Sequence, residues 1–286
     1  MRTNKCPVCG EAKSKTKFFV HASHGKNLSS RKSKYQYVRC SMCTAVYLVN
    51  QNIDNDFYKK HYPAGYYAPL LGVRAILEQA FAVCRNWQRK KLISSHVVCP
   101  ATILDVGAGD CQFVKSLNPK KFDISAYDYN APQSPLPKHI KFTVGDYVRD
   151  KSFSQRFDCV VSWHVIEHIS EPQGFVKQIY MNTNDKGVVI VSTPNTDSMG
   201  FRLSKGSWYH MDAPRHIILY NDQSIEHLFA SCGFRLKQKF TEKFEFPLDL
   251  FWSLRASNKM EPRLLAYPLL KLISNETRTY VFEKAI

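Results

Sequence analysis

From residue 101 onward the chain alternates short β-branched runs with helical stretches, and few folds accommodate that alternation. Ile103 to Val106, Ile124 to Tyr127, Ile140 to Val144, Cys159 to Ser162 and Val188 to Ser192 read as five strands, four of them closely followed by turn residues. Strands separated by helices lie parallel, with helices on both faces and ligands bound at the carboxyl ends of the strands. A helix at Asp222 to Cys232, ended by Gly233, leads to a sixth strand, Phe234 to Phe240. The class is α/β, a doubly wound and mostly parallel sheet whose informative residues should sit at the strand ends.

Ahead of that domain stand two CxxC units, Cys6-Pro-Val-Cys9 and Cys40-Ser-Met-Cys43. Two residues between thiolates let each pair chelate one ion from a tight turn, and Cys6, Cys9, Cys40 and Cys43 together complete the closed tetrahedron of structural zinc. Disulfides suit a cytosolic chain poorly, and a redox CxxC would follow a βαβ pattern that is absent here. The expected unit is a small N-terminal zinc ribbon over residues 1–50. Its intervening segment exceeds the usual ~15 to 20 residues and must contain a loop. That loop is basic: Lys13, Lys15, Lys17, Lys26, Arg31, Lys32, Lys34 and Arg39 are opposed only by Glu11. It reads as a solvated hairpin or as a grip for phosphates.

Residues 51–98 form a linker with N-terminal helices. Apolar positions from Leu71 through Val73, Ile76, Leu77, Ala80, Phe81, Val83 and Cys84 to Trp87 recur at three and four, and the helix closes in a basic turn at Arg89, Lys90 and Lys91. Tyr58, Tyr62, Tyr66 and Tyr67 precede it as rings expected to pack the junction. No stretch reaches the ~18 uninterrupted apolar residues of a membrane span and the start lacks the apolar core of a signal peptide, so a cytoplasmic location is expected. Lys and Arg number 40 against 24 acids, a net charge of +16 that keeps nucleic acid open as a partner class.

The first strand ends in Asp105-Val106-Gly107-Ala108-Gly109-Asp110-Cys111, followed by helical residues 112–117. Glycines at 107 and 109 let backbone approach a ligand closely, and the helix behind them offers free N–H groups. Asp128 ends the second strand about 20 residues on, where a carboxylate can accept both ribose hydroxyl protons. A nicotinamide fingerprint would want glycine at 112, which is Gln112, so a dehydrogenase is disfavoured.

These residues resemble the class I S-adenosylmethionine-dependent methyltransferases. ILDVGAGDC looks like their first motif, Asp128 like the ribose-binding acid, Gly145-Asp146-Tyr147 like the adenine-contacting motif, and residues 157–169 like their fourth. One departure is Cys111, where the family usually has a third glycine. The resemblance implies a Rossmann-like methyltransferase domain over 99–286 with an antiparallel seventh strand at Thr277 to Phe282. It implies S-adenosylmethionine as cofactor, held by Asp105, Gly107, Gly109, Asp128, Tyr129, Asp146, Tyr147 and Trp163. Residues 193–220, with Trp208 and Asp212-Ala-Pro-Arg215-His216, narrow it to the branch acting on sugars, surface polysaccharides and small metabolites.

Methyl transfer from a sulfonium is an in-line displacement, and a hydroxyl acceptor must lose a proton. His164, Glu167 and His168 lie just past the fourth strand, where imidazoles are partly neutral bases at neutral pH. In a helix, 164 and 168 would share a face. Asp212, Arg215 and His216 form the second catalytic constellation, as an anion clamp or as an internal salt bridge shaping the loop. The two groups are expected to face each other across the transferable methyl. Residues 244–275 form an apolar insertion whose helical spacings at 248, 251, 252 and at 265, 269, 272 suggest two short helices, buried in the enzyme's own core or serving as a lid or a surface for a subunit or lipid-linked substrate. The leading expectation is methyl transfer to a hydroxyl of a sugar or similar small molecule. The alternatives are an RNA methyltransferase with the ribbon as RNA-binding module, and a non-catalytic zinc adaptor.

Overall fold

The computed structural model describes residues 5–21, 34–53, 57, 61, 73–242, 244–246, 248–257 and 267–285. Lys26, Arg31 and Lys32 of the basic loop, the four tyrosines between 58 and 67, Leu71, and Lys259, Arg263, Leu264 and Leu265 of the insertion lie outside the described residues.

Seven strands form the main sheet: β4 (Ala101–Val106), β5 (Phe122–Asp128), β6 (Ile140–Val144), β7 (Phe157–Trp163), β8 (Thr183–Pro194), β10 (Phe234–Thr241) and β11 (Thr277–Lys284), in spatial order β10-β11-β8-β7-β4-β5-β6. β4 pairs in parallel with both β5 and β7, and β7 with β8, whereas β11 runs antiparallel between β8 and β10. The β-branched run Val188, Val189, Ile190 and Val191 is at most 4% exposed, which is what a strand covered on both faces requires. The helix Asp222–Ala230 begins in a reciprocal cap, the Asn221 side chain accepting from the Ser224 amide and the Ser224 hydroxyl from the Asn221 amide.

The N-terminal strands β1 (Ser14–His21), β2 (Lys34–Cys40) and β3 (Val46–Val49) form an antiparallel meander. Its fourth strand comes from the large domain: β9 (Ile218–Leu219) pairs with β3 through Val46↔Leu219 and Tyr47↔Ile218. Tyr37, Val46 and Tyr47 share one buried cluster with Val160, Val189, Trp208 and Phe229, so the ribbon's core continues into the catalytic domain. Further ties cross the junction, from the Gln173 side-chain amide to the Val8 carbonyl (2.9 Å) and from Leu48 N to the Ile217 carbonyl (2.8 Å).

The long helix ahead of β4 spans Val73–Ser94. The insertion does contain two helices, Asp249–Ala256 and Tyr267–Ile273. Their buried face differs from the expected one. Leu250 and Leu254 pack inward against the helix Met199–Ser204, while Leu248 and Trp252 are 52% and 41% exposed. The offset arises because this helix docks through its polar residues as well: the Tyr209 amide donates to Ser253 Oγ (2.9 Å), and the Ser204 hydroxyl to the Ser253 carbonyl (2.8 Å). No helix among the described residues is long and apolar enough to cross a membrane.

Candidate functional site

The turn after β4 is built by two left-handed glycines, Gly107 (φ +80°) and Gly109 (φ +52°). A Cβ at 107 would collide with the Val165 side chain, and a Cβ at 109 would project into open space, so position 109 offers bare backbone to a ligand. Cys111 keeps the third glycine's conformation, φ 62°, with its side chain fully buried. The turn therefore keeps a glycine-type backbone at the cost of local strain at a non-glycine residue. Asp128 is not partnerless: its Oδ2 accepts from Gly109 N (2.8 Å) and its Oδ1 from Asn130 N (2.9 Å). Burial pushes the carboxyl up, against those amides, and each oxygen retains a second lone pair for a hydroxyl donor.

Beside this turn lies a set of buried polar atoms with no hydrogen-bond partner among the described residues: Asp105 Oδ1, Trp163 Nε1, Arg89 Nε and His164 Nε2. The Arg89 guanidinium lies 4.1 Å from the Trp163 ring centroid. Burial pushes Asp105 up to about 7, while the Arg89 charge opposes it. Buried orphans of both signs in one place are costly unless a polar ligand completes them. The terminal ammonium and carboxylate of an amino-acid moiety have the matching chemistry.

His164 follows β7 in a left-handed conformation (φ 57°), and Ile166–His168 form a 3-10 turn, not the helix that would put 164 and 168 on one face. His164 Nδ1 is 3.3 Å from Glu167 Oε1, and its Nε2 is 3.8 Å from Glu245 Oε1. Burial lowers the His164 pKa, but the Glu245 charge and the Glu167 hydrogen bond outweigh it and raise the value. Glu167 is fully buried, with Thr193 Oγ1 donating to its Oε2 (3.0 Å). Burial pushes that carboxyl up, yet the hydrogen bond and charge of His164 bring it down to about 2.

The loop carrying Asp212 folds back onto this turn. The His168 ring bonds the Arg215 carbonyl through Nδ1 (3.0 Å) and lies 4.7 Å from the His216 ring, while Ile217 N donates to the Glu167 carbonyl (2.7 Å). The two constellations thus meet in one place. Arg215 Nη2 bonds both Asp212 oxygens (2.6 and 2.7 Å), which is the internal salt bridge. His216 Nδ1 bonds the His210 carbonyl (2.7 Å). Burial lowers His168 to about 4 and depresses His216 too, so both rings are neutral at pH 7. Glu167, His168 and His216 bring donor atoms within 4.8 Å of one another, as do His164, Glu242 and Glu245, and either set could hold a divalent cation.

Three expected cofactor residues have surroundings of their own. Tyr147 is packed among Tyr127, Phe153 and Phe175 and donates its hydroxyl to Asn182 Oδ1 (2.8 Å), so its side chain belongs to the core. Asp146 Oδ1 accepts from Val148 N (3.1 Å) and shapes its own turn, and Tyr129 is 48% exposed beside Asp128. Arg85, Glu242, Glu245 and Phe246 match no motif, and Arg89, read as part of a basic turn closing the helix, lies in a helix that continues to Ser94. Arg89 Nη2 bonds Glu245 Oε2 (2.7 Å), and the Phe246 ring meets His164 and His210 edge-on at 5.3 and 5.1 Å. The only local signal for them is the pair Arg85 and Arg89, four apart on one helix face.

In the ribbon, Cys6 and Cys43 Sγ are 3.5 Å apart, as are Cys9 and Cys40, and all four sulfurs lie within 4.8 Å. A tetrahedral ion with metal–sulfur bonds of ~2.3 Å requires sulfurs about 3.8 Å apart, so the cluster fits one. The Cys43 hydrogen bond, against burial, lowers Cys6 to about 6, while the same contact together with burial raises Cys43 and burial raises Cys9, so Cys6 is the first of them to ionise.

Comparison with known proteins places this geometry. Residues 78–239 match the family model described as a methyltransferase domain. The ubiquinone biosynthesis O-methyltransferase of Rickettsia bellii (strain OSU 85-389) is 27% identical over 124 residues, covering 39% of this chain and 50% of that protein. Its counterpart in Rhodopseudomonas palustris (strain HaA2) is 25% identical over 154 residues, covering 50% and 59%. The chain spans between half and three-fifths of these relatives' length. Among solved structures, the complex of the Haloferax volcanii Trm112 methyltransferase activator with a putative methyltransferase (TM-score 0.52, 12% identity, 73% of this chain and 93% of that one) shares the fold. So does the [4+2]-cyclase SpnF (TM-score 0.50, 14% identity, 70% and 80%). With a Rossmann-like, mostly parallel seven-stranded sheet and a family match over more than half of its length, the chain belongs to the methyltransferase-domain family.

Proposed function

We propose that this protein is an S-adenosylmethionine-dependent O-methyltransferase acting on a hydroxyl of a sugar or related small molecule. The observation that carries the reading is His164, whose Nδ1 is hydrogen-bonded to the buried Glu167 and whose buried Nε2 has no hydrogen-bond partner among the described residues. A base held by a carboxylate on one nitrogen, with the other nitrogen beyond hydrogen-bond distance of its nearest carboxylate, Glu245 (3.8 Å), can take a proton from a hydroxyl. Against burial, the Glu245 charge and the Glu167 hydrogen bond raise its pKa, which strengthens it as a base.

Asp128 and the bare backbone at Gly109 would hold the ribose side of the cofactor. Asp105 and Arg89 would take its ammonium and carboxylate, with Trp163 Nε1 as a further donor. When bound, S-adenosylmethionine supplies an electrophilic methyl group. The protein's residues orient the acceptor, exclude water and remove the proton at His164 Nε2. Phe246, edge-on to His164 and His210, gives the acceptor pocket an aromatic wall. The two O-methyltransferases of ubiquinone biosynthesis support oxygen as the acceptor atom. The sugar class rests on the resemblance of the Trp208 to His216 segment.

The four ribbon cysteines hold one structural zinc in this reading, as their spacing and sulfur separations support. The test is transfer of a labelled methyl group from S-adenosylmethionine to nucleotide sugars, to a catechol and to total RNA. Label in a sugar hydroxyl supports the reading. Label confined to the catechol moves the acceptor class, and label confined to RNA overturns the small-molecule assignment.

A further inference from the structure

Segment 216–219, which leaves the Asp212 loop, has its backbone tied from two sides. The Ile217 amide donates to the Glu167 carbonyl (2.7 Å), anchoring it to the His164 turn. On the other side the ties come from the N-terminal ribbon. Leu48 N donates to the Ile217 carbonyl (2.8 Å), β3 pairs with β9, and the Tyr37 hydroxyl donates to the His216 carbonyl at 2.7 Å. Tyr37 is fully buried and stands 179 residues away in sequence. It lies on β2, three residues before Cys40, opposite Leu48 of β3 and Phe18 of β1, so its own position is fixed by the centre of the ribbon sheet.

His216 carries further constraints. Its Nδ1 bonds the His210 carbonyl, its ring abuts His168, and its Nε2 lies 3.9 Å from Asp212 Oδ2. With Nδ1 committed to a carbonyl, Nδ1 carries the proton and Nε2 keeps the lone pair. Where that lone pair points depends on the backbone at 216. The one side-chain hydrogen bond that reaches this carbonyl among the described residues is that of Tyr37.

We propose that Tyr37 is a positioning residue for His216, and that through this hydroxyl the ribbon forms part of the acceptor half of the site. The inference rests on the proposed function for His164 as the base that makes this turn the acceptor half, to which the Ile217–Glu167 bond joins His216, while the Tyr37 tie stands on the contacts alone. The cofactor half, at Gly107, Gly109 and Asp128, receives no such contact from the ribbon among the described residues. The ribbon acts on one half of the site.

The test compares the full chain with Tyr37→Phe and with a control, Tyr47→Phe. Tyr47 is 3% exposed in the same ribbon, but its hydroxyl is not bonded to His216. Imidazole nitrogen NMR of all histidines, amide hydrogen exchange at Ile217 to Leu219, and calorimetric binding of S-adenosylhomocysteine are measured on each. Tyr37→Phe should move the His216 and His168 resonances and speed exchange at Ile217 at least tenfold, with S-adenosylhomocysteine affinity within twofold of the parent. Tyr47→Phe should leave the resonances in place. Unmoved His216 resonances in Tyr37→Phe, or equal changes in both variants, would overturn the proposal by reducing Tyr37 to general ribbon stability. If Tyr37→Phe does not fold, 3-fluorotyrosine at position 37 retains ring and hydroxyl while strengthening the donor. The His216 resonances must then still move, and their constancy refutes the tie. A parent protein that binds no S-adenosylhomocysteine defeats the cofactor reading, whereas the His216 comparison continues to decide the role of Tyr37.

Discussion

His164 and Glu167 are joined nitrogen to oxygen at 3.3 Å, although the turn that carries them is 3-10 and not α-helical. Because Glu167 stays ionised far below neutrality, its charge helps to raise the His164 pKa. Glu167→Gln keeps the shape and an oxygen that can accept from His164 Nδ1, but it removes the charge. The acid limb of the pH–kcat profile should therefore move to lower pH, with kcat falling about tenfold or more. An unmoved limb would detach Glu167 from the base.

Asp128 binds the Gly109 and Asn130 amides and retains lone pairs toward the expected ribose. Asp128→Ala should weaken S-adenosylmethionine binding by about 1.5 to 3 kcal/mol, the scale of a hydrogen bond to a charged group. Calorimetry on a folded variant checks this, and unchanged affinity removes the assignment.

His168 has its pKa lowered from 6.5 to about 4 by burial and by neighbouring His216. A histidine lowered on folding leaves the unfolded chain binding more protons between those two values, so stability is lost as pH falls from 6.5 toward 4. The loss attributable to this ring is about 3 kcal/mol at ~1.4 kcal/mol per pH unit. His168→Asn, which keeps an N–H for the Arg215 carbonyl, should flatten that slope in denaturant titrations run across the window. An equal slope in the variant would contradict the shift.

Purified protein should contain about one zinc per chain, and Cys40→Ser should lose it. Elemental analysis with thiol titration decides. Metal-free protein in which all four ribbon thiols react freely would leave the cluster without an ion.

The sheet was legible because its signals are local. Val188 to Val191 announces a strand covered on both faces, and Gly107 with Gly109 announces a turn only glycine makes easily. The seventh strand came from family resemblance, and β11 lies antiparallel where expected. The missed features are products of tertiary contact. β9 is a two-residue strand with no pattern of its own and exists because β3 lies beside it. Arg89 and Glu245 are 156 residues apart, and neither has meaning without the other. Tyr147 matched a motif but packs inward, since the motif fixes its backbone position and leaves its side-chain direction to the surrounding rings. The insertion's helical period was readable, yet the buried face was set by Ser253 and its partners and not by the bulkiest residues.

The central claim is that His164 removes the acceptor proton in a reaction driven by S-adenosylmethionine. The most direct measurement is single-turnover transfer of labelled methyl by the parent and by His164→Gln, with S-adenosylhomocysteine affinity measured on both. A fall in rate of ~10² to 10⁴ with affinity unchanged is the predicted result. Equal rates in the two proteins, at equal cofactor affinity, would contradict it.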